Sequence, residues 1–154
     1  FVPYLATHVA NSVLGLSFRD NSPLNLPKLQ RIVFLIETHY QKNTGKELIG
    51  EPYCTWEHGP ALHSLANQFS DNLQGRITRY CQTASGKVFV PDKSQDVELN
   101  VALLRVWEKT RNLSTLEVCE ATKIKGSAWD KAVQAENPVL DPDDIAEDMS
   151  FENL

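Results

Sequence analysis

Apolar residues recur every three or four positions along the first third of the chain, which is the spacing of a helix with one buried face. Two helices are predicted there. The first ends at the turn-forming residues 19–23. The second begins at Asn25, a favourable N-cap residue, ends at Gly45, and is apolar enough to cross the core. The apolar face of the first helix is formed by Leu5, Val9, Val13 and Leu16.

Cap signals predict further helices in the rest of the chain. A short helix is expected to begin at Pro60, and a longer one to run from Ser94 to about Arg111. The inward face of the longer helix is expected to consist of Val97, Val101, Leu104 and Trp107. Three short helices are expected to follow, the first with a capping box completed by Glu117. The N-caps of the first two are expected at Ser114 and Ser127, and the last is expected to begin in the acidic run 141–144, with Pro142 in its first turn.

Residues 76–91 change to a different pattern. Two β-prone runs, 77–81 and 87–90, flank a turn that contains Gly86, which predicts a small β-hairpin near residues 77–90. The expected fold class is therefore mainly α (α+β), a compact domain of about six or seven helices with this hairpin. We expect residues 1–135 to form one helical domain and residues 136–154 to form an acidic C-terminal segment with a short helix.

Charge is unevenly distributed along the chain. The chain of 154 residues has 15 Lys and Arg against 20 Asp and Glu, a net charge of −5. Seven of these acids, and no Lys or Arg, lie in residues 132–154. A dedicated nucleic-acid-binding protein carries a basic patch instead, so nucleic acid is not expected as the main partner.

Cellular location is predicted from two features of the sequence, its membrane or signal segments and its cysteines. No apolar run approaches the 18 residues of a membrane helix, and no secretory signal pattern is visible, so no membrane partner is expected. The widely spaced Cys54, Cys81 and Cys119 are typical of reduced thiols in a cytoplasmic protein.

Metal binding and catalysis are two alternatives that the residues support poorly. Cys54, His58 and His63 lie within ten residues, but their spacing differs from that of structural zinc ligands. A Cys54–His58 pair would need an orienting third group to act as a nucleophile, and none is evident. Phosphate-binding loops and hydrolase motifs are absent from the sequence. We therefore expect no metal, no cofactor and no enzymatic activity.

A DNA-reading function is a further alternative. Residues 113–134 have the outline of two short helices joined by a turn at Gly126, as in a helix-turn-helix. The basic residues of this outline, Lys123, Lys125 and Lys131, are offset by Glu117, Glu120 and Asp130. Two short helices around a glycine more often serve only packing.

The three tryptophans are candidate anchors. Trp107 lies on the predicted inward face of a helix and is expected in the core. Trp56 and Trp129 lie beside predicted turns, where a tryptophan anchors either a core or an interface. The core is the favoured position for each of them.

Three segments together resemble the Panacea-domain family, which includes phage-associated proteins and SocA-like antitoxins. Residues 26–34 resemble its Lys-Leu-Gln-Lys-Leu-Leu-Tyr helix, residues 55–60 its Ala-Trp-x-Tyr-Gly-Pro turn, and residues 126–132 its Ser-Pro-Trp-Lys helix start. The resemblance covers about residues 5–135. Arg31 replaces a lysine of the family pattern and His58 replaces its tyrosine.

The resemblance implies an antitoxin that neutralises a cognate protein toxin by direct binding. An adaptor that delivers the toxin to a ClpXP-type protease is one alternative, and a DNA-binding regulator of a mobile element is another. The residues expected to bind the partner are Lys28, Arg31, Trp56, His58 and Trp129. The residues expected to maintain the motif's structure are Leu29, Gln30, Gly59 and Pro60.

Overall fold

Seven helices and one short antiparallel hairpin make up the structure, a computed structural model that describes residues 3–154. Residues 1 and 2 of the predicted first domain lie outside this range. The mainly α class is thereby confirmed. None of the helices in residues 3–154 has the length and apolar character that a membrane span requires. The elements are α1 (Ala6–Arg19), α2 (Leu26–Thr44), β1 (Cys54–Trp56), β2 (Gly59–Ala61), α3 (His63–Gln68), α4 (Val97–Thr110), α5 (Thr115–Ala121), α6 (Ala128–Gln134) and α7 (Pro142–Ala146).

Helix α2 runs through the centre of the domain, as its apolar sequence predicts. Its apolar residues from Leu29 to Ile36 are fully buried, and α1, α4, α5, α7 and the hairpin pack around it. The Asn25 side chain accepts a hydrogen bond from the Lys28 amide at 3.0 Å, and Gly45 closes the helix in the left-handed conformation with φ 69°. Both predicted ends are confirmed.

A buried carboxylate on α2 organises the irregular segment that follows the helix. Glu37 is fully buried, and its two oxygens accept hydrogen bonds from the Leu48 amide at 2.7 Å and the Ile49 amide at 3.0 Å. The Tyr53 hydroxyl and the Gln41 amide group also donate to it, at 3.1 and 2.8 Å. Glu37 thus provides acceptors for backbone groups that no regular element satisfies.

The acidic C-terminal segment lies against the hairpin and α6. The Thr55 amide donates to the Pro138 carbonyl at 3.0 Å, and the Leu140 amide donates to the Tyr53 carbonyl at 2.8 Å, so residues 138–140 extend β1 on its free side. Further along, the buried Asp148 accepts a hydrogen bond from the Ala128 amide at 2.8 Å, at the start of α6.

The predicted location of the hairpin is wrong. The antiparallel pair is β1 with β2, whereas residues 77–81 and 87–90 form no ladder. The side chain of Asn11, from α1, lies between these two arms. Its amide donates to the carbonyls of Cys81 and Phe89, each at 3.0 Å, and its oxygen accepts from the Cys81 amide at 2.7 Å. A side chain thus takes the place of the strand pairing that the pattern predicts.

The start of α4 also differs from the prediction. The N-cap is Asp96, whose Oδ1 accepts from the Leu99 amide at 3.0 Å, whereas Ser94 bonds to Asp92. The other carboxylate oxygen of Asp96 accepts from the hydroxyl groups of Tyr4 and Tyr40, which fixes this residue at the helix end.

The predicted inward face of α4 is only partly correct. Trp107 is buried as expected, but Val97 is 66% exposed and Leu104 is 42% exposed. The N-caps Ser114, with its capping box, and Ser127 are confirmed, and Asp141 caps the last helix. The predicted start of the short helix at Pro60 is wrong, because Pro60 lies in β2 and α3 begins at His63. The buried side chains of α4 are Leu99, Ala102, Leu103, Val106, Trp107 and Thr110.

Replacing Glu37 is predicted to weaken the fold. In Glu37→Gln one carboxylate oxygen becomes an amide nitrogen, so one backbone amide, at Leu48 or Ile49, loses its acceptor. We expect a loss of about 3 kcal/mol in the free energy of unfolding, measured in urea. Glu47→Gln, an exposed change in the same segment, is the control and should cost less than about 0.5 kcal/mol. Equal effects of the two changes would contradict this role.

The pH dependence of the unfolding free energy provides a second test of the role of Glu37. Burial raises its pKa, and the hydrogen bonds it accepts oppose that shift. A carboxyl whose folded-state pKa is raised contributes stability below its ordinary pKa, about 4.3, and loses it as pH rises through the raised value. The stability difference between wild type and Glu37→Gln should therefore shrink as pH rises through this range. A constant difference would contradict the shift.

Candidate functional site

The three motif segments meet at one end of α2. The indole nitrogen of Trp129, in α6, donates to the backbone carbonyl of Trp56 in the hairpin at 2.8 Å. From the other side, the guanidinium of Arg31, in α2, donates to the carbonyl of Gly59 at 3.1 Å. The hairpin turn is therefore held between the first half of α2 and the start of α6.

Arg31 is a buried cross-link between α2 and the hairpin. Its second terminal nitrogen donates to the Pro27 carbonyl at 3.1 Å, and its Nε has no hydrogen-bond partner among the described residues. Burial lowers the pKa of the guanidinium, and the nearby Cys119 opposes this shift. The cation is thus stabilised by carbonyl groups rather than by an ion pair.

Gly59 lies so close to Arg31 that no side chain fits at its position. Its φ of +124° belongs to the region that favours glycine. A Cβ atom there would lie 2.7 Å from the Thr122 hydroxyl oxygen and 3.0 Å from the Arg31 Nε. Pro60 is buried beside it and is paired with Thr55 across the hairpin.

Lys28 and Gln30 also hold other segments of the chain. The buried ammonium group of Lys28 donates to the carbonyls of Arg111 and Leu113 at 3.2 and 2.6 Å, just after α4. Burial lowers its pKa, and Glu117 opposes that shift. Gln30 exchanges two hydrogen bonds with the backbone of Leu62, at 3.0 and 2.9 Å. The predicted partner contacts of Lys28 and Arg31 stay predictions, and both side chains have structural contacts inside the domain.

The hairpin tip and the start of α6 present aromatic side chains at the surface. Trp56 is 37% exposed, which makes the favoured core position wrong for this residue, and its ring lies edge-on to His63 with 5.1 Å between centroids. Trp129 is half-buried against the core, with the Lys123 ammonium group 5.1 Å from its ring centroid. His58, at the tip of the turn, is exposed.

A groove of about 360 Å³ adjoins this tip, between the start of α2 and α5. His58 lines one side, Pro27 and Cys119 lie along it, and Leu116 stands at its edge with 68% of its surface exposed. No sequence pattern singled out Leu116. The available signal is its spacing in α5, because a residue three positions before the groove-lining Cys119 lies on the same side of the helix.

The geometry does not support the two alternatives of a cysteine nucleophile and a metal site. The three thiols are free and buried, and burial raises the pKa of each, that of Cys81 to about 12. These thiols are therefore protonated at neutral pH rather than poised as nucleophiles. Within residues 3–154, no three His, Cys, Asp or Glu side chains are grouped so that they could hold a metal ion.

Two of the three lysines in the helix-turn-helix outline have acidic neighbours. Lys123 lies 3.8 Å from a Glu120 oxygen, and Lys131 lies 3.6 Å from an Asp144 oxygen. The acidic C-terminal segment is therefore placed directly beside α6. This arrangement reduces the positive potential that phosphate binding requires.

Comparisons with known proteins give one match. A family model described as the SocA-like antitoxin, Panacea domain, matches residues 29–130, about two thirds of the chain. This range begins in α2, includes the hairpin and the groove-lining residues from His58 onwards, and ends within α6. Comparison with curated proteins and with solved structures gives no match.

The close packing at Gly59 leads to a prediction. Gly59→Ala adds both left-handed strain and a contact with Thr122 and Arg31, and should cost about 3 kcal/mol or more of unfolding free energy in urea. Gly45→Ala is the matched control, because Gly45 also has positive φ but open space around it. It should cost about 1 kcal/mol. Equal losses would show that the turn is not pressed against Arg31.

Proposed function

Because the chain belongs to the family of SocA-like antitoxins with a Panacea domain, we propose that it neutralises a cognate protein toxin by binding it directly. The observation that carries this proposal is how the motif residues divide between interior and surface. Lys28, Gln30 and Arg31 are buried and hold other segments in place. The turn that Arg31 supports instead exposes Trp56 and His58.

We define the Trp56 surface as Trp56, His58, Leu116, Lys123 and Trp129. Tryptophan and exposed leucine beside an apolar groove suit a partner that inserts an apolar side chain, because desolvated pockets with aromatic neighbours supply most of the binding energy in many interfaces. Hydrogen bonds from Trp129 and Arg31 fix the turn. A surface fixed in advance loses little entropy on binding.

The remaining features agree with a binding protein in the cytoplasm. The buried, protonated thiols suit a reducing compartment. Two of the titratable groups that line the groove, Glu120 and Lys123, lie 3.8 Å apart, and burial raises the pKa of a third, the Cys119 thiol. We infer that this lining serves recognition rather than catalysis. We propose that the protein has no catalytic activity and that the toxin is its partner.

A growth test separates direct blocking from delivery to a protease. The product of the neighbouring reading frame is expressed alone and with this protein, in a bacterial host that lacks ClpXP. Arrest that is rescued by co-expression is the expected result. Rescue only in the host that retains the protease would favour the adaptor instead. A harmless neighbour would remove the antitoxin proposal for that gene pair.

The Trp56 surface is tested by Leu116→Glu. A carboxylate at the edge of the groove should weaken toxin binding at least 30-fold, about 2 kcal/mol, and abolish rescue. Val97→Glu is the control, because both residues lie in the first turn of a helix and Val97 is 66% exposed against 68% for Leu116. Binding is measured by titration calorimetry and folding by urea unfolding. Full rescue by a folded Leu116→Glu protein would place the interface elsewhere.

A further inference from the structure

Three consecutive apolar side chains are exposed on a segment without regular structure. Val88, Phe89 and Val90 are 42%, 47% and 49% exposed, and residues 87–92 contain no helix, turn or bend. Extended apolar segments of this kind pair with other strands unless something covers them. The segment shares no residue with the Trp56 surface.

The backbone orientation of this segment is fixed by contacts on its inner side. The Lys87 carbonyl accepts from the Thr83 amide at 2.8 Å, and the Phe89 carbonyl accepts from the Asn11 side chain at 3.0 Å. The Phe89 ring also lies against His8, with 5.4 Å between centroids. In an extended chain, successive residues point their N–H and C=O groups to opposite sides. Val88 and Val90 therefore direct theirs outward.

These outward groups form an unoccupied hydrogen-bonding edge. Within residues 3–154, the backbone N–H and C=O groups of Val88 and Val90 have no hydrogen-bond partner. The edge is thus held in position by Asn11 and Thr83 but is unpaired on its outer side. Its backbone is arranged in advance to accept another strand.

We propose that this edge pairs with the same edge of a second copy of the chain, antiparallel about a two-fold axis at Phe89. The register favours a second copy because the two outward residues are both valine and lie symmetrically about Phe89. Val88 of one copy then faces Val90 of the other, and each such pair exchanges two hydrogen bonds. The two Phe89 rings become a cross-strand aromatic pair.

Charge does not oppose this register. Lys87 of one copy lies opposite Pro91 of the other, and Lys93 lies opposite Ser85, so no two lysines face each other directly. The paired segment is short, which places the dimer among the weak interfaces that bury less than about 1,200 Å². The paired residues differ from those that form the Trp56 surface.

Sedimentation velocity over a wide concentration range tests the proposal on the full chain. Wild type should shift from a monomer of 17.3 kDa towards a dimer as its concentration rises. Val88→Pro removes one outward N–H and should weaken dimerisation at least 10-fold, and Val90→Lys should do the same while keeping the backbone intact. Val133→Lys, on α6 and 39% exposed, is the control and should leave dimerisation unchanged.

Amide hydrogen exchange distinguishes this edge from any other dimer contact. The amides of Val88 and Val90 should become protected as concentration rises, whereas exchange at Ser85 in the turn should not change. A monomer at every concentration, or a dimer without protection at these two amides, would overturn the proposal. Protection that appears only when toxin is added would also overturn it, and would assign the edge to a strand of the toxin.

Discussion

The fold depends on polar side chains that a buried helix carries into the core. From Leu26 to Tyr40, helix α2 has no exposed residue, so the side chains of Lys28, Gln30, Arg31 and Glu37 must find partners inside the protein. Each finds them in the backbone of a different segment. Lys28 binds the end of α4, Gln30 the start of α3, Arg31 the hairpin turn, and Glu37 the segment after α2.

These hydrogen bonds from α2 side chains explain how backbone segments without regular structure are held in place. Residues 45–53 contain no helix or strand, and the buried amides of Leu48 and Ile49 would be unsatisfied without Glu37. The same logic applies to Gly59, whose carbonyl faces the Arg31 guanidinium. The polar residues of the motif helix therefore position several segments, and among them Arg31 positions the turn that presents Trp56 and His58. In this family member the exposed tip residue is His58, which gives the surface a different hydrogen-bonding group from tyrosine.

Local signals in the sequence were sufficient for most helices. Asn25, Ser114 and Ser127 are N-caps in the structure because a cap depends on neighbours only two or three residues away. The absence of strand pairing at 77–90 was not predictable in this way, because Asn11, whose side chain takes the place of that pairing, lies 70 residues from Cys81 in sequence. The burial of Arg31 was not predictable from the sequence either, because its hydrogen-bond partners are backbone carbonyl groups and every residue carries one. The position of Leu116 at the edge of the groove could not be predicted from the sequence, because it depends on the orientation of α5 in the packed structure.

Amide hydrogen exchange on the toxin complex tests whether α2 positions the hairpin turn and α5 as one binding surface. Toxin binding should then slow exchange at residues 56–58 and 115–123, while the amides of Leu48 and Ile49, already bonded to Glu37, stay unchanged. Protection confined to the acidic segment 136–154, with none at the hairpin tip, would contradict the account.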